Sequence, residues 1–230
     1  MSIDLVEKNR TVAGDQALIL AAERLIATHG LWGASLRQIT DAAGVRNASA
    51  VQYHFGSREG LLAAVYENRF REIDARRLAN LAEIERSGRQ DDLRAVVNAI
   101  VKGLSEELKE RPEGNYFIRF LERRNREFGD LPVDDSAYPD GAAWVRAQVH
   151  LRRVMSYLPE EIIWSRLLTV REHTLFGLAS IEAALERNVE NRRRIDLWIE
   201  ILVDGICAVV LAPLSQQTLA QFEHIDGGRG

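Results

Sequence analysis

The chain has 230 residues, of which 46% are apolar and 28% charged, and its formal net charge at pH 7 is −4. This length is sufficient for a sizeable buried core, and the apolar content excludes general disorder. The net negative charge argues against a uniformly basic surface, but affinity for DNA depends on the local face rather than on the total charge.

The single cysteine, Cys207, excludes an internal disulfide and a multi-cysteine metal site. It lies in an apolar run at 199–211, which indicates a small buried side chain. The N-terminal segment MSIDLVEKNR lacks an apolar signal core, and no uncharged apolar stretch reaches the roughly 18 residues of a membrane span. We therefore expect a cytoplasmic protein without a membrane partner, a metal or a cofactor.

The N-terminal region begins with one predicted helix and a capped second helix. The spacing of apolar residues predicts a first helix over about 11–29, and Gly30 suits its left-handed cap. Ser35 and Gln38 have the spacing of a capping box, in which each side chain bonds the backbone of the other. This pair predicts a short second helix over about 35–43.

A third short helix after Gly44 completes a helix-turn-helix pattern. This helix is predicted over about 47–55, and Ser57 then caps a long fourth helix. Such an arrangement can place one helix in a major groove about 12 Å wide. A plain bundle of short helices is the alternative, and the balance of acidic and basic residues over 1–60 does not decide between them.

Three motifs of this region resemble the TetR family of bacterial transcriptional regulators. They are LILAAERLIATHG (18–30), SLRQITDAAGV (35–45) and VQYHFGSREGLL (51–62), in the order that the family has. The resemblance covers about residues 15–65. Between Val45 and Phe55 the chain has one residue more than members commonly have, so the roles of the first-turn side chains of the third helix stay open.

The third helix carries the side chains that we expect to face DNA, which are Asn47, Ser49, Ala50, Gln52, Tyr53 and His54. Gln52 can offer a bidentate amide to adenine, and Ala50 can contact a thymine methyl group. Tyr53 and His54 suit phosphates, which fix register without selecting sequence. Val51 and Phe55 should point inward.

Four further residues, which lie before or after the third helix, are also candidates for DNA contacts. Arg46 could bind guanine or only a phosphate, because the extra residue leaves its position open. Ser57 and Arg58 begin the fourth helix, where backbone N–H groups and the positive helix end favour a phosphate. Arg37 is a phosphate candidate too, with a solvated surface role as the alternative.

The remainder of the chain is also predicted to be helical. Helices are expected over about 58–86, 92–110, 113–128, 142–157, 160–186 and 195–211, with a loop at 129–141 rich in proline, glycine and aspartate. The fold class is therefore all-α with about nine helices. We expect a helix-turn-helix DNA-binding domain at 1–57 and a larger helical effector-binding and dimerisation domain at 58–230.

The last two predicted helices carry apolar seams in which residues step by three and four, which favours an antiparallel hairpin. We expect the seam residues at a homodimer interface, as the resemblance also implies: Ile163, Leu167, Val170, Leu178, Ile181, Leu185, Ile199, Leu202, Ile206 and Val209. The last helix has a second apolar face, including Leu197, Trp198 and Ile201, so burial on one side cannot satisfy it. A helix central to the monomer core is the alternative.

The resemblance further implies an effector pocket within the larger domain. Candidates for its apolar lining are Tyr116, Phe117, Phe120, Trp144, Met155 and Trp164, and Arg119 and His173 could orient a polar end of the ligand. Ordinary core packing and salt bridges are the alternative, because aromatic residues at helical spacing are usually core.

No catalytic motif of the common hydrolase, P-loop or zinc-protease types occurs, and the five histidines are scattered. We therefore expect no enzyme. The expected function is a dimeric, ligand-responsive, sequence-specific transcriptional regulator, with repression as the family default. A small, largely apolar effector would release it from a near-palindromic operator in double-stranded DNA. A helical adaptor or ligand-binding protein that no longer binds DNA is the alternative.

Overall fold

The computed structural model describes residues 3–45, 49–110, 115–128 and 141–227. These residues are almost entirely helical and contain no strand, which confirms the all-α prediction. Their α-helices are α1 (Ile3–His29), α2 (Leu36–Ala42), α3 (Ala50–Phe55), α4 (Arg58–Arg86), α5 (Leu93–Glu110), α6 (Phe117–Phe128), α7 (Ala142–Val154), α8 (Glu160–Arg187), α9 (Ile195–Leu211) and α10 (Gln216–Gly227).

The predicted helices are present, and their bounds differ in ways that local chemistry explains. Helix α1 begins well before the predicted start because no proline interrupts it. Helix α6 begins at Phe117, later than predicted, where the Asn115 side chain accepts a hydrogen bond from the Phe117 N–H at 3.1 Å. A 3-10 helix at Val189–Arg194 joins α8 to α9, and α10 was not predicted. Most of the predicted loop at 129–141 lies outside the described residues.

The N-terminal helices pack onto the rest of the chain through α1. Helix α1 packs against α4 and α6. Helix α2 packs against α1 and α3, and α3 packs against α4. Leu18 and Ile26 of α1, Ile39 of α2, Val51 of α3 and Leu61 of α4 are each at most 1% exposed. The helix-turn-helix segment therefore shares one continuous apolar core with the larger helical part.

Helices α8 and α9 form the predicted antiparallel hairpin. Arg166 Nη1 near the start of α8 donates to the Val210 carbonyl near the end of α9 at 2.7 Å. Further along, Gly177 approaches Leu202 so closely that an added Cβ would lie 2.5 Å from a Leu202 methyl carbon. The residue numbers of the paired positions run in opposite directions, as an antiparallel hairpin requires.

The seam of this hairpin lies inside a single chain. Nine of its ten predicted residues are buried within the chain and Val209 is half-buried, where α8 and α9 pack on each other and on α5. The prediction that the seam forms the dimer interface is therefore wrong for these residues, because side chains at an interface must reach the surface of one chain. The monomer-core alternative describes them correctly.

Candidate DNA-binding surface and ligand cavity

Helix α2 begins with the predicted capping box. Ser35 Oγ accepts a hydrogen bond from the Gln38 N–H at 3.2 Å, and the Ser35 N–H donates to Gln38 Oε1 at 2.8 Å. The helix ends before Gly44, whose φ of 68° lies in the left-handed region that favours glycine. These two local features fix where α2 begins and where it ends.

Helix α3 presents a polar outer face and an apolar inner face. Val51 is buried and Phe55 is half-buried against the core, as predicted. Gln52 is exposed, and Tyr53 is 83% exposed. These two side chains are therefore available to a ligand outside the protein.

Two of the predicted DNA contacts on α3 need correction. Ala50 is buried in the core, so its methyl group is not available to a thymine. His54 Nδ1 lies 2.7 Å from Asp15 Oδ1 of α1, and the His54 ring meets Tyr53 edge-on at 4.9 Å between centroids. His54 thus joins α3 to α1, and only its remaining ring nitrogen could reach a phosphate. Ser49 is exposed beside the start of the helix, while Arg46 and Asn47 lie outside the described residues.

The start of α4 is held to the α1–α2 turn. Ser57 Oγ accepts from the Gly60 N–H at 3.1 Å, which confirms the predicted cap. Arg58 donates to the Leu31 carbonyl and lies over the Trp32 ring, with 5.8 Å from its guanidinium carbon to the ring centroid. Arg58 is therefore engaged within the protein while half-buried, and its role as a phosphate ligand stays a prediction.

Arg37 remains as an exposed cation on α2. Its side chain is 87% exposed and lies 3.9 Å from Asp41, one turn further along the helix. An exposed pair at this separation holds the guanidinium weakly. Arg37 is therefore free to exchange its partner for a phosphate.

A cavity of about 580 Å³ lies in the larger helical part of the chain. Its wall combines aromatic and aliphatic side chains with several polar ones: Tyr66, Phe70, Arg77, Ile100, Leu104, Leu121, Arg124, Asn125, Gly141, Trp144, Val145, Gln148, Trp164, Leu167, Leu168, Arg171, Thr174 and Leu175. This volume lies in the range of about 300–1,000 Å³ that small-molecule sites have. The cavity is therefore large enough for an organic ligand.

Only two of the predicted pocket residues, Trp144 and Trp164, line this cavity. Phe117, Phe120 and Met155 are fully buried in the core instead. Sequence reasoning missed the wall that α4 contributes, which consists of Tyr66, Phe70 and Arg77. The spacing of Tyr66 and Phe70, which stack at 4.3 Å between ring centroids, was the available indication.

Arg119, predicted to orient a ligand, forms ion pairs at the start of α6, as the salt-bridge alternative proposed. Its Nε lies 3.0 Å from Glu182 Oε2 and its Nη1 lies 2.7 Å from Glu186 Oε2. Tyr116 donates from its hydroxyl to Glu186 at 3.1 Å. Burial raises the pKa of Glu182 to about 7, although Arg119 and the backbone N–H groups of Ile118 and Arg119 act in the opposite direction. These residues fasten α6 to α8 and do not line the cavity.

A stripe of exposed apolar side chains runs along the outer side of the hairpin. Leu197 and Ile201 of α9 are 59% and 57% exposed, and Phe176 of α8 is 57% exposed. His173, another predicted pocket residue, is exposed on this side near Gly205. The second apolar face of α9, which includes Leu197 and Ile201, is thus the face that a single chain leaves exposed.

The described residues contain no group of three or more His, Cys, Asp or Glu side chains placed to hold a metal ion. No single described helix is long and apolar enough to cross a membrane. Among the described helices, one pair, Glu190–Leu211 and Gln216–Phe222, has together the length and apolar composition of a membrane span, but the pair is bent by 51°.

Among the comparisons with known proteins, the family match agrees with the motifs in the N-terminal region. Residues 18–65 match the model of the family described as bacterial regulatory proteins, tetR family. A crystal structure of a TetR-family transcriptional regulator from Mesorhizobium loti is similar at 14% identity and a TM-score of 0.34, over 87% of this chain and 98% of that one. No curated protein matches the chain. The family match confirms the resemblance derived from the three motifs.

Proposed function

We propose that this chain, whose residues 18–65 match the tetR family model, is a transcriptional regulator that binds a near-palindromic operator as a homodimer and is released by a small molecule. The supporting observation is the exposed face of α3, where Gln52 and Tyr53 point outward from a helix that Val51 holds to the core. A helix presented in this way can enter a major groove. Repression in the cytoplasm is the mode that we propose.

The homodimer is proposed to form through the outer side of the α8–α9 hairpin. Exposed apolar side chains on both helices, including Phe176, Leu197 and Ile201, support this surface. Contact with the same surface of a second chain would remove them from water, and a twofold axis makes such a contact self-complementary. Two copies of α3 would then face two half-sites of one operator.

Release by a ligand is proposed to act through α4. Tyr66 of this helix lines the cavity, and Arg69, one turn further on, pairs with Glu23 of α1 at 3.1 Å. A ligand that favours a displaced position of α4 would therefore also act on α1 and the helices attached to it. The ligand must bind the released state more tightly than the DNA-bound state for this mechanism to operate.

Selection of bound fragments from fragmented genomic DNA at moderate salt tests the proposal. We expect enrichment of a near-palindromic sequence whose half-sites are about one or more helical turns apart. The same selection with Gln52→Ala should lose or broaden this sequence, because the variant lacks the exposed amide. If the unaltered protein enriches no palindrome, the adaptor alternative is favoured, for which the balanced charge of residues 1–60 is the supporting observation.

A further inference from the structure

The cavity wall has a pronounced charge asymmetry. Three of the described residues that line it are arginines, Arg77, Arg124 and Arg171, and none of them is Asp or Glu. They come from α4, α6 and α8, so positive charge is distributed over three of the helices around the cavity. The other polar lining groups are uncharged amides and hydroxyls of Asn125, Gln148, Thr174 and Tyr66.

Arg77 is built into the wall. It is only 9% exposed, and its Nε donates to the Ile100 carbonyl at 2.9 Å. Gly103 makes room for its stem, since a Cβ at that position would lie 2.3 Å from Arg77 Cγ. Burial lowers the pKa of Arg77 to about 10, even though Asp74 and Tyr66 act in the opposite direction. The surroundings of the buried guanidinium therefore disfavour its charge. An anion bound beside it would stabilise the charged form.

Arg124 and Tyr66 supply a flat surface at another part of the wall. The guanidinium carbon of Arg124 lies 4.8 Å from the Tyr66 ring centroid, and Tyr66 stacks on Phe70. Arg124 and Arg171 also interact with other groups of the chain, so the inference uses their positions and charges only. Trp144 and Trp164 add further aromatic surface.

We propose that the ligand of this cavity is an organic anion with a ring-containing apolar body, whose carboxylate or similar oxyanion is bound by the arginines of the wall. This inference rests on the proposed function, because it names the chemical class of the releasing ligand. A guanidinium binds a carboxylate through charge-assisted, often bidentate hydrogen bonds. An organic cation of the same shape would meet like charges at a site of low dielectric constant. The sign of the ligand charge is thus the main criterion of selection.

Isothermal titration calorimetry of the full chain without DNA tests this selection with three probes of one shape. The probes are naphthylacetate, its neutral amide naphthylacetamide and the cation naphthylethylammonium. We expect naphthylacetate to bind at least ~10-fold more tightly than the amide, which is the effect of one charge-assisted contact, and the cation to bind most weakly. Equal affinities, tightest binding of the cation or amide, or no binding of any probe up to millimolar concentration would overturn the proposal.

Variants of the wall and a matched control locate the effect. Arg124→Gln and Arg171→Gln should each lower the affinity for naphthylacetate by about 10-fold while changing that for the amide less than about 3-fold. Arg123→Gln is the control, because Arg123 lies on the same helix, pairs with Glu122 at 3.8 Å and does not line the cavity. Loss of naphthylacetate affinity in the control alone, or in none of the variants, would contradict the assigned site.

The ligand class and the proposed function can fail separately. The calorimetry uses the protein without DNA, so it tests the charge preference of the cavity even if the protein does not bind DNA. Fragment selection concerns only DNA recognition. If the protein prefers naphthylacetate but enriches no operator, the anion site is supported and the regulatory function is rejected. If it enriches an operator but does not prefer naphthylacetate, the regulatory function is supported and the anionic ligand is rejected.

Discussion

Arg69 of α4 and Glu23 of α1 form an ion pair in the interior of the protein, with 3.1 Å between Arg69 Nη2 and Glu23 Oε1 and at most 4% exposure of either side chain. Arg69 Nη1 also donates to Asn115 Oδ1 at 3.1 Å and lies 3.5 Å from Glu107 Oε2 of α5. Glu23 Oε1 in turn accepts from the Tyr116 N–H at 3.3 Å. One buried polar cluster therefore connects the helix-turn-helix segment with the helices that surround the cavity.

Removal of Glu23 should be strongly destabilising. Glu23→Ala leaves the Arg69 guanidinium in the core without one of its carboxylates, and breaking a buried pair in this way costs about 3–5 kcal/mol. Urea denaturation followed by circular dichroism would measure the free energy of unfolding. Glu67→Ala is the matched control on α4, because Glu67 pairs with Arg71 at 3.6 Å on the surface and should contribute at most about 1 kcal/mol. Equal losses in the two variants would contradict a special role of burial.

The buried carboxyl of Glu182 should make stability depend on pH. Its pKa is about 7 in the folded chain and near the ordinary value of 4.5 in the unfolded chain, so the folded state holds the proton more tightly. The stabilisation is present below about pH 4.5 and is lost as the pH rises through about 7, by roughly 3 kcal/mol in total.

Denaturant unfolding of the unaltered protein and of Glu182→Gln between pH 4 and pH 8 measures this contribution. Glutamine cannot ionise, so the variant should gain stability relative to the unaltered chain as the pH rises. A difference between the two that stays constant over this range would mean that Glu182 does not titrate there.

Two exposed side chains should differ in their effect on DNA binding. Gln52→Ala removes an amide suited to a base edge and should relax base preference at one position of each half-site, by about 1–3 kcal/mol. Arg37→Ala removes an exposed cation and should weaken binding to all sequences while reducing the slope of log affinity against log salt by about 1 for each half-site. Fluorescence anisotropy with matched and mismatched duplexes at several salt concentrations separates the two effects. Identical behaviour of the variants would refute this division of roles.

A charge on the outer side of the hairpin should prevent dimerisation. Ile201→Glu places a carboxylate in the stripe of exposed apolar residues, where burial against a second chain would strip it of water. We expect the dimer dissociation constant to rise on the order of 100-fold or more, measured by analytical ultracentrifugation. Val149→Glu is the control, because Val149 is 55% exposed on α7 and does not belong to either helix of the hairpin. A monomeric unaltered protein at micromolar concentration, or a dimeric Ile201→Glu variant, would remove support for this interface.

The capping box of α2 should contribute measurably to stability. Ser35→Ala removes the oxygen that accepts from the Gln38 N–H and should cost about 1 kcal/mol, whereas Ser35→Gly should cost only a few tenths. Thermal and urea denaturation of both variants would test this order. A larger loss for glycine than for alanine would indicate that backbone freedom, rather than the cap, determines stability at this position.

Features determined by neighbouring residues could be predicted from the sequence. The capping box of Ser35 and Gln38, the turn at Gly44 and the cap at Ser57 depend on residues within a few positions of each other. The inward direction of Val51 follows from helical periodicity in the same way. These local features were sufficient to predict the helix-turn-helix segment.

Features determined by distant partners could not be predicted. His54 is engaged by Asp15 and Arg58 by the Leu31 carbonyl, and nothing in the local sequence indicates such partners. Helix α9 is apolar on two faces, so periodicity alone could not tell which of Ile199 and Ile201 would be covered within one chain. The cavity wall was missed for the same reason, because the helix face that borders a cavity depends on how the helices pack.

The ion pair between Glu23 and Arg69 limits how this protein can be divided for engineering. A chimera that joins residues 1–57 to the ligand-binding part of another protein would keep the carboxylate of Glu23 but lose the guanidinium that meets it in the core. Such a graft needs an arginine at the position corresponding to Arg69, or an uncharged residue in place of Glu23. Exchange of the proposed operator specificity is therefore simplest on the exposed face of α3, where Gln52 and Tyr53 can be altered without disturbing buried charge.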